Sequence, residues 1–208
     1  MTEKEWLECG EPQKMLEVLQ KSGASARKLR LFAVACSRRM WAWIDVLGRT
    51  AVEVAENFAD GLAGPAELRA ARLACQGAGG QAAWYAAATN PANAARNAAR
   101  SAQAGVANKA LFGSEAVELL AQARLVREIF GDPFRPGVVD QSWLAWHDGS
   151  VVKLAQAIYE ERAFERLPNL AAALEEAGCM KEDILAHCRQ PGEHVRGCYV
   201  LDILLGKE

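Results

Sequence analysis

Cys179, His187, Cys188, His194 and Cys198 place thiols and imidazoles within a span of twenty residues. Three of the six cysteines and two of the three histidines of the chain lie there. Thiolate and imidazole are the donors zinc prefers, four to a tetrahedron, and Cys179, His187, His194 and Cys198 are the candidate set. His194 and Cys198 are four residues apart, which aligns them on one face of a helix. His187 and Cys188 are adjacent and project about 100° apart on a helix, so only one can reach a common ion. No Cys-x-x-Cys pair accompanies them. The competing reading makes the cysteines small core residues and gives the histidines local hydrogen bonds.

Three other chemistries can be drawn from the same region or near it. A nucleophilic Cys188 or Cys198 needs a histidine base and an oriented third group, and no oxyanion motif is present, so no catalytic residue is assigned. Arg189, Gly192, His194 and Arg196 form a polar turn that could bind an anion if a helix starts near His194. Against that stands an arginine paired with Asp183, Glu193 or Asp202. Trp143 and Trp146, beside His147, could line an aromatic pocket, but anchoring a core short of bulk is the more economical role.

Helices must hold these groups. Alanine is roughly a fifth of the chain and β-branched residues are sparse, a composition that favours helix. Thr2 and Glu5 form a capping box. Pro12 and Pro65 suit first helical turns. Ser25 caps a helix running to about Asp45, with Leu29, Phe32, Ala33, Cys36, Met40, Trp43 and Ile44 inward and Arg27, Arg30 and Arg38 outward. A helix with the acidic row Glu53, Glu56 and Asp60 follows. Gly77 to Gly80 should weaken or break the next one. In the alanine-rich middle, Asn90-Pro91 caps a helix with Ala94, Ala95, Ala98, Ala99 and Ala102 on one face. Small side chains bury little area, so this region is expected to be the least firmly held. Ser114 should cap a helix ended by Gly131. Pro133 and Pro136 exclude helix before them, and the apolar Phe134, Val138, Val139, Trp143, Leu144 and Trp146 predict an ordered strap near 131–148. Further helices are expected over 150–162, 169–177, 182–189 and 194–205, with Gly178 and Gly206 as caps.

The expected fold is therefore an all-α, multi-helix bundle. It forms a single domain over 1–208, with an N-terminal region over 1–63, an alanine-rich middle over 65–130 and a C-terminal helical region over 148–208. No strand pair or repeat period is seen.

The formal net charge of −2 argues against a global field for nucleic acid or anionic membrane. The local Arg27–Arg39 face, with Lys28, Arg30, Arg38 and Arg39, could track phosphates. A helix pair laced by salt bridges to Glu53, Glu56 and Asp60 competes with that. The opening residues carry no basic and apolar leader pattern, and no run of about eighteen apolar residues exists. A cytoplasmic protein with reduced thiols is the resulting expectation.

Several blocks resemble an uncharacterised bacterial family expanded in planctomycetes. They are Gly178-Cys179, Asp183 to Arg189, Pro191 to Cys198 and Leu201-Asp202 with Leu204 to Glu208, joined by Ala157 to Phe164, Ile129 to Pro136, Lys28 to Ala33 and Glu5-Trp6-Leu7. The resemblance implies no activity. Some members are joined to domains of an immunity-protein type, which implies a binding role. The leading expectation is a non-enzymatic protein-interaction or scaffold protein with an unidentified protein partner and no cofactor. The alternatives are a zinc-binding helical domain with a regulatory or hydrolytic role, and a nucleic-acid-binding module. The segment after His194, with Val195, Cys198, Val200, Leu201, Ile203, Leu204 and Leu205 against Arg196 and Asp202, reads chiefly as a buried helix.

Overall fold

A computed structural model describes residues 1–77, 80–109 and 115–207, with the side chains of 107–109 left aside. Ser114, and Ala78 and Gly79 of the Gly77–Gly80 break, fall outside the described residues. All regular structure among the described residues is helical, with no strand. The expected all-α class is therefore what the chain forms. Its contacts divide into two compact units, Met1–Arg127 and Glu128–Glu208.

The first unit opens with α1 (Glu3–Glu8), whose capping box is formed by Thr2 and Glu5, and α2 (Pro12–Lys21), with proline in its first turn. Next come α3 (Ala26–Arg38), α4 (Val46–Ala59), α5 (Pro65–Ala74), α6 (Gln81–Ala86) and α7 (Pro91–Lys109). α3 stops well before Asp45. Asp45 is itself a helix cap, accepting from the Gly48 amide at 2.8 Å, and so requires extended backbone where α3 would have continued. A single 3-10 turn, Trp41–Trp43, fills the gap.

α7 packs against α3 through its alanines. Ala94, Ala95, Ala98, Ala99 and Ala102 are all fully buried. The basic residues of α3 turn inward or pair. Arg27 bonds Asp60 at 3.0 Å and Arg38 bonds Glu56 at 2.8 Å. Arg39 grips Glu118 with both Nε and Nη2, at 2.8–3.1 Å. Glu118 lies on α8 (Glu115–Phe130), and Gln122 one turn on links it to Gln103 and the Ala99 carbonyl.

Arg30 departs from the expected outward placement, being 2 % exposed. It donates to the carbonyls of Ala86, Ala88 and Thr89 at 2.8–3.2 Å. Ala86 ends α6, where helix geometry leaves acceptors unsatisfied, and Ala88 and Thr89 follow just beyond it. Burial lowers its pKa to about 10. Lysine cannot present a planar fork to three acceptors. Arg30→Lys is expected to lower unfolding free energy by about 2 kcal/mol, read from urea denaturation with unchanged m-value.

In the second unit the strap is shorter than expected. Residues 131–140 are irregular, but α9 (Gln141–Ala145) and a 3-10 turn through Gly149 replace its second half. Asp140 caps α9 by accepting from the Ser142 amide at 2.8 Å. Val139, Trp143, Leu144 and Trp146 pack on the core, whereas Phe134 and Val138 are exposed. Then follow α10 (Ser150–Glu161), α11 (Leu167–Glu176), α12 (Glu182–Arg189) and α13 (Tyr199–Leu205). Their core is Val151, Ile158, Leu170, Leu174, Ile184, Val200 and Leu201 with neighbours.

α13 begins at Tyr199, five residues later than the expected start at His194. Gly197 has φ +93°, a left-handed conformation that ends any helix arriving from His194. Residues 190–198 are consequently non-helical and can be aimed at the core rather than along an axis.

Candidate metal centre

Four side chains of the second unit converge: Glu128, His187, His194 and Cys198. Their donor atoms all lie within 4.8 Å of one another. Each comes from a different setting. Glu128 sits in the last turn of α8, His187 in the last turn of α12, His194 in the irregular 190–198 segment and Cys198 at the cap position of α13. His187 Nε2 is 3.2 Å from Cys198 Sγ and 3.2 Å from Glu128 Oε2. His194 Nδ1 is 3.1 Å from both Glu128 oxygens. The two imidazoles are steeply inclined, at 75° with centroids 5.3 Å apart, so their nitrogens can face a common point.

Zinc bonds of about 2.0–2.3 Å set donor separations of about 3.3–3.8 Å around a tetrahedron. The His187–Cys198, His187–Glu128 and His194–Glu128 separations, at 3.1–3.2 Å, lie close to that edge length, and the donor set as a whole spreads over 4.8 Å. Three of the four residues are buried, with Cys198 fully so and Glu128 and His187 5 % and 8 % exposed, and His194 is half-buried.

The remaining ring nitrogens are held as well. His194 Nε2 is 3.3 Å from the Gln190 carbonyl, which can only accept, so Nε2 carries the proton. Nδ1 then has two states. As a bare lone pair it would face two carboxylate oxygens and be repelled. It must therefore either be protonated or share a cation with Glu128. The Tyr199 ring lies against His187, with centroids 4.5 Å apart, and its hydroxyl donates to the Asp183 carbonyl at 3.2 Å. Gly131, with φ +66°, passes so close under Tyr199 that a Cβ would meet the ring at 3.1 Å. Close approach and left-handed backbone together require glycine there.

Electrostatics follow from this packing. Burial alone would raise the Glu128 carboxyl, but hydrogen bonds and charge from His187 and His194 outweigh it and hold it down at about 2, against an ordinary 4.5. Burial pushes His194 down, but contact with Glu128 wins and raises it above 6.5. Burial and the Glu128 charge push the Cys198 thiol up, and burial pushes Cys188 up to about 12. The lowered carboxyl contributes stability present above pH 4.5 and lost as pH falls towards about 2. The raised imidazole contributes stability present below pH 6.5 and lost as pH rises through its folded value. In chelator, unfolding free energy followed by denaturant titration is expected to be greatest between these limits and to decline on both sides.

Of the sequence-predicted ligands, His187, His194 and Cys198 meet. Cys179 is outside the four-donor group; it is a fully buried core residue beyond Gly178. Cys188 likewise joins the core, as the 100° offset from His187 requires. Glu128 was not anticipated. It lies 59 residues before His187, beyond any local spacing. Its signal is a carboxylate at i+3 from Leu125, on the face that also buries Ile129.

The polar turn does not assemble as an anion site. Arg189 pairs with exposed Glu175, Gly192 is exposed, Arg196 stacks over Tyr159 at 5.0 Å, and His194 turns to Glu128. For the thiol reading, Cys198 Sγ lies 3.2 Å from His187 Nε2. Cys198 and Glu128 face the same nitrogen of His187, whereas a base relay needs the thiol and the acid on opposite nitrogens. Trp146 stacks on His147 itself, centroids 3.9 Å apart, which uses the imidazole face an aromatic pocket would offer. No family model, no curated protein and no solved structure matches this chain. No described helix is long and apolar enough to cross a membrane.

Proposed function

We propose that the second unit is a zinc-binding domain in which Glu128, His187, His194 and Cys198 hold one divalent ion as a structural centre. The observation that carries this reading is the convergence of four donor atoms within 4.8 Å in a buried pocket. The chemistry of the set supports it. A carboxylate and a thiolate neutralise a divalent charge, which matters where water is excluded. Four protein donors close the coordination sphere. Hydrolytic sites keep a position open for water, so the regulatory or structural role is favoured over the hydrolytic one. Glu128 also stands at a helix C-terminus, the end that disfavours an anion, and so needs a cation nearby.

A zinc centre revises the expected scaffold role rather than discarding it. A rigid centre that fixes residues 190–198 would hold that surface in one shape for a partner. The first unit supports no nucleic-acid role, since Arg27, Arg38 and Arg39 are matched by Asp60, Glu56 and Glu118.

Elemental analysis and zinc titration test the proposal. The full chain is expected to take one zinc at neutral pH and to melt higher with it than in chelator. Cys198→Ala should lose the ion while costing the metal-free chain only about 1 kcal/mol, as for one buried heavy atom. A chain that takes no stoichiometric zinc, or a Cys198→Ala variant that binds it undiminished, refutes the centre.

A further inference from the structure

Both histidines lean on one residue. Gln190 Nε2 is 3.2 Å from His187 Nδ1, and the Gln190 carbonyl is 3.3 Å from His194 Nε2. Pro191 explains why one residue can serve both. A residue before proline is driven out of the helical region, and Gln190 adopts φ −64° and ψ 135°. Its amide still closes α12 on the Ala186 carbonyl at 2.9 Å, but its own carbonyl is turned out of the helix, towards His194. The side chain is left to reach back to His187.

We infer that Gln190 is the positioning residue of the centre, and that its side-chain amide reverses when zinc enters, switching the tautomer of His187. This rests on the zinc-binding reading above. As the amide stands, Nε2 donates to His187 Nδ1. The proton of neutral His187 is then on Nε2, pointing at Glu128 Oε2 and Cys198 Sγ. That arrangement satisfies the metal-free pocket but blocks ligation, because the nitrogen facing the other donors carries hydrogen. A half-turn of the amide brings Oε1 to the same place. Oε1 accepts from Nδ1–H, and Nε2 is left with its lone pair towards the centre. Zinc-ligating histidines are held in this way, with the far N–H given to an oxygen. His194 needs no reversal, because a backbone carbonyl fixes its tautomer in both states.

Gln190 is exposed, so replacing its side chain leaves the core untouched. The test uses the full chain, zinc as the probe, and two variants. In the wild type, proton–nitrogen correlation spectra of the imidazoles should show His187 protonated at Nε2 in chelator and at Nδ1 with zinc. Gln190→Met removes the acceptor and should weaken zinc about tenfold or more, within the range for outer-shell partners. Gln190→Glu supplies an acceptor of the same length and should bind at least as tightly as wild type. His194 should keep its Nε2 proton throughout. If zinc binds but Gln190→Met is within twofold of wild type, or His187 keeps one tautomer, the inference fails while the centre stands. If the wild type takes no zinc, both fall together.

Discussion

Glu128→Ala is expected to weaken zinc binding by more than about a hundredfold, beyond the reach of an outer-shell change. It should also cost the metal-free chain about 3 kcal/mol, the scale for removing one partner of a buried pair. Both effects have one origin. The carboxylate is buried beside two imidazoles and is the only anion among the four donors before the thiol ionises. Without it His194 keeps only the Gln190 carbonyl to offset its burial. Glu128→Gln separates charge from shape. It keeps the volume and one carbonyl acceptor, so it should recover some of the metal-free stability and little of the affinity. Isothermal titration with zinc and denaturation in chelator read the two quantities separately. A Glu128→Ala chain that binds zinc as tightly as wild type would remove Glu128 from the centre.

Glu118→Ala should be the most damaging single change in the first unit, lowering unfolding free energy by about 3–5 kcal/mol. The Glu118 side chain is 3 % exposed and accepts Arg39 through two guanidinium nitrogens. It also accepts from Gln122, which in turn takes the Gln103 amide at 2.7 Å. Removal takes the carboxylate from the Arg39 guanidinium and leaves the buried Gln122 amide only the Ala99 carbonyl. Arg39→Met combined with Glu118→Leu should cost much less than Glu118→Ala alone, because both charges leave together. Guanidinium denaturation of the two variants decides this. A loss below about 1 kcal/mol for Glu118→Ala would place the pair with ordinary surface ion pairs.

Local signals in the chain were readable where one residue acts on its near neighbours. Thr2 with Glu5, Pro12, Pro65 and Gly206 mark the helix ends they were expected to mark. Reading failed where two local preferences compete. The apolar spacing of Met40 and Ile44 suits a continued α3, and both are buried, yet Asp45 caps the next helix and takes the backbone with it. At His194 the spacing to Cys198 suggested one helical face. Gly197 breaks that helix, and the two side chains still meet because the loop folds back. Half of the centre's logic was therefore visible as residue types, for the wrong geometric reason. Glu128 was hidden by distance along the chain, as were the acceptors of Arg30, which are backbone carbonyls and leave no trace in side-chain patterning.

The alanine face of α7 has a mechanical meaning. A seam of leucines can absorb an altered neighbour by changing rotamers, but a methyl group has no rotamer to change. Ala94, Ala95, Ala98, Ala99 and Ala102 are fully buried at a helix contact with α3. Any larger side chain there acts as a wedge, and the strain is relieved only by displacing a whole helix. These positions should thus be among the least permissive to enlargement in the chain, although each contributes little buried area.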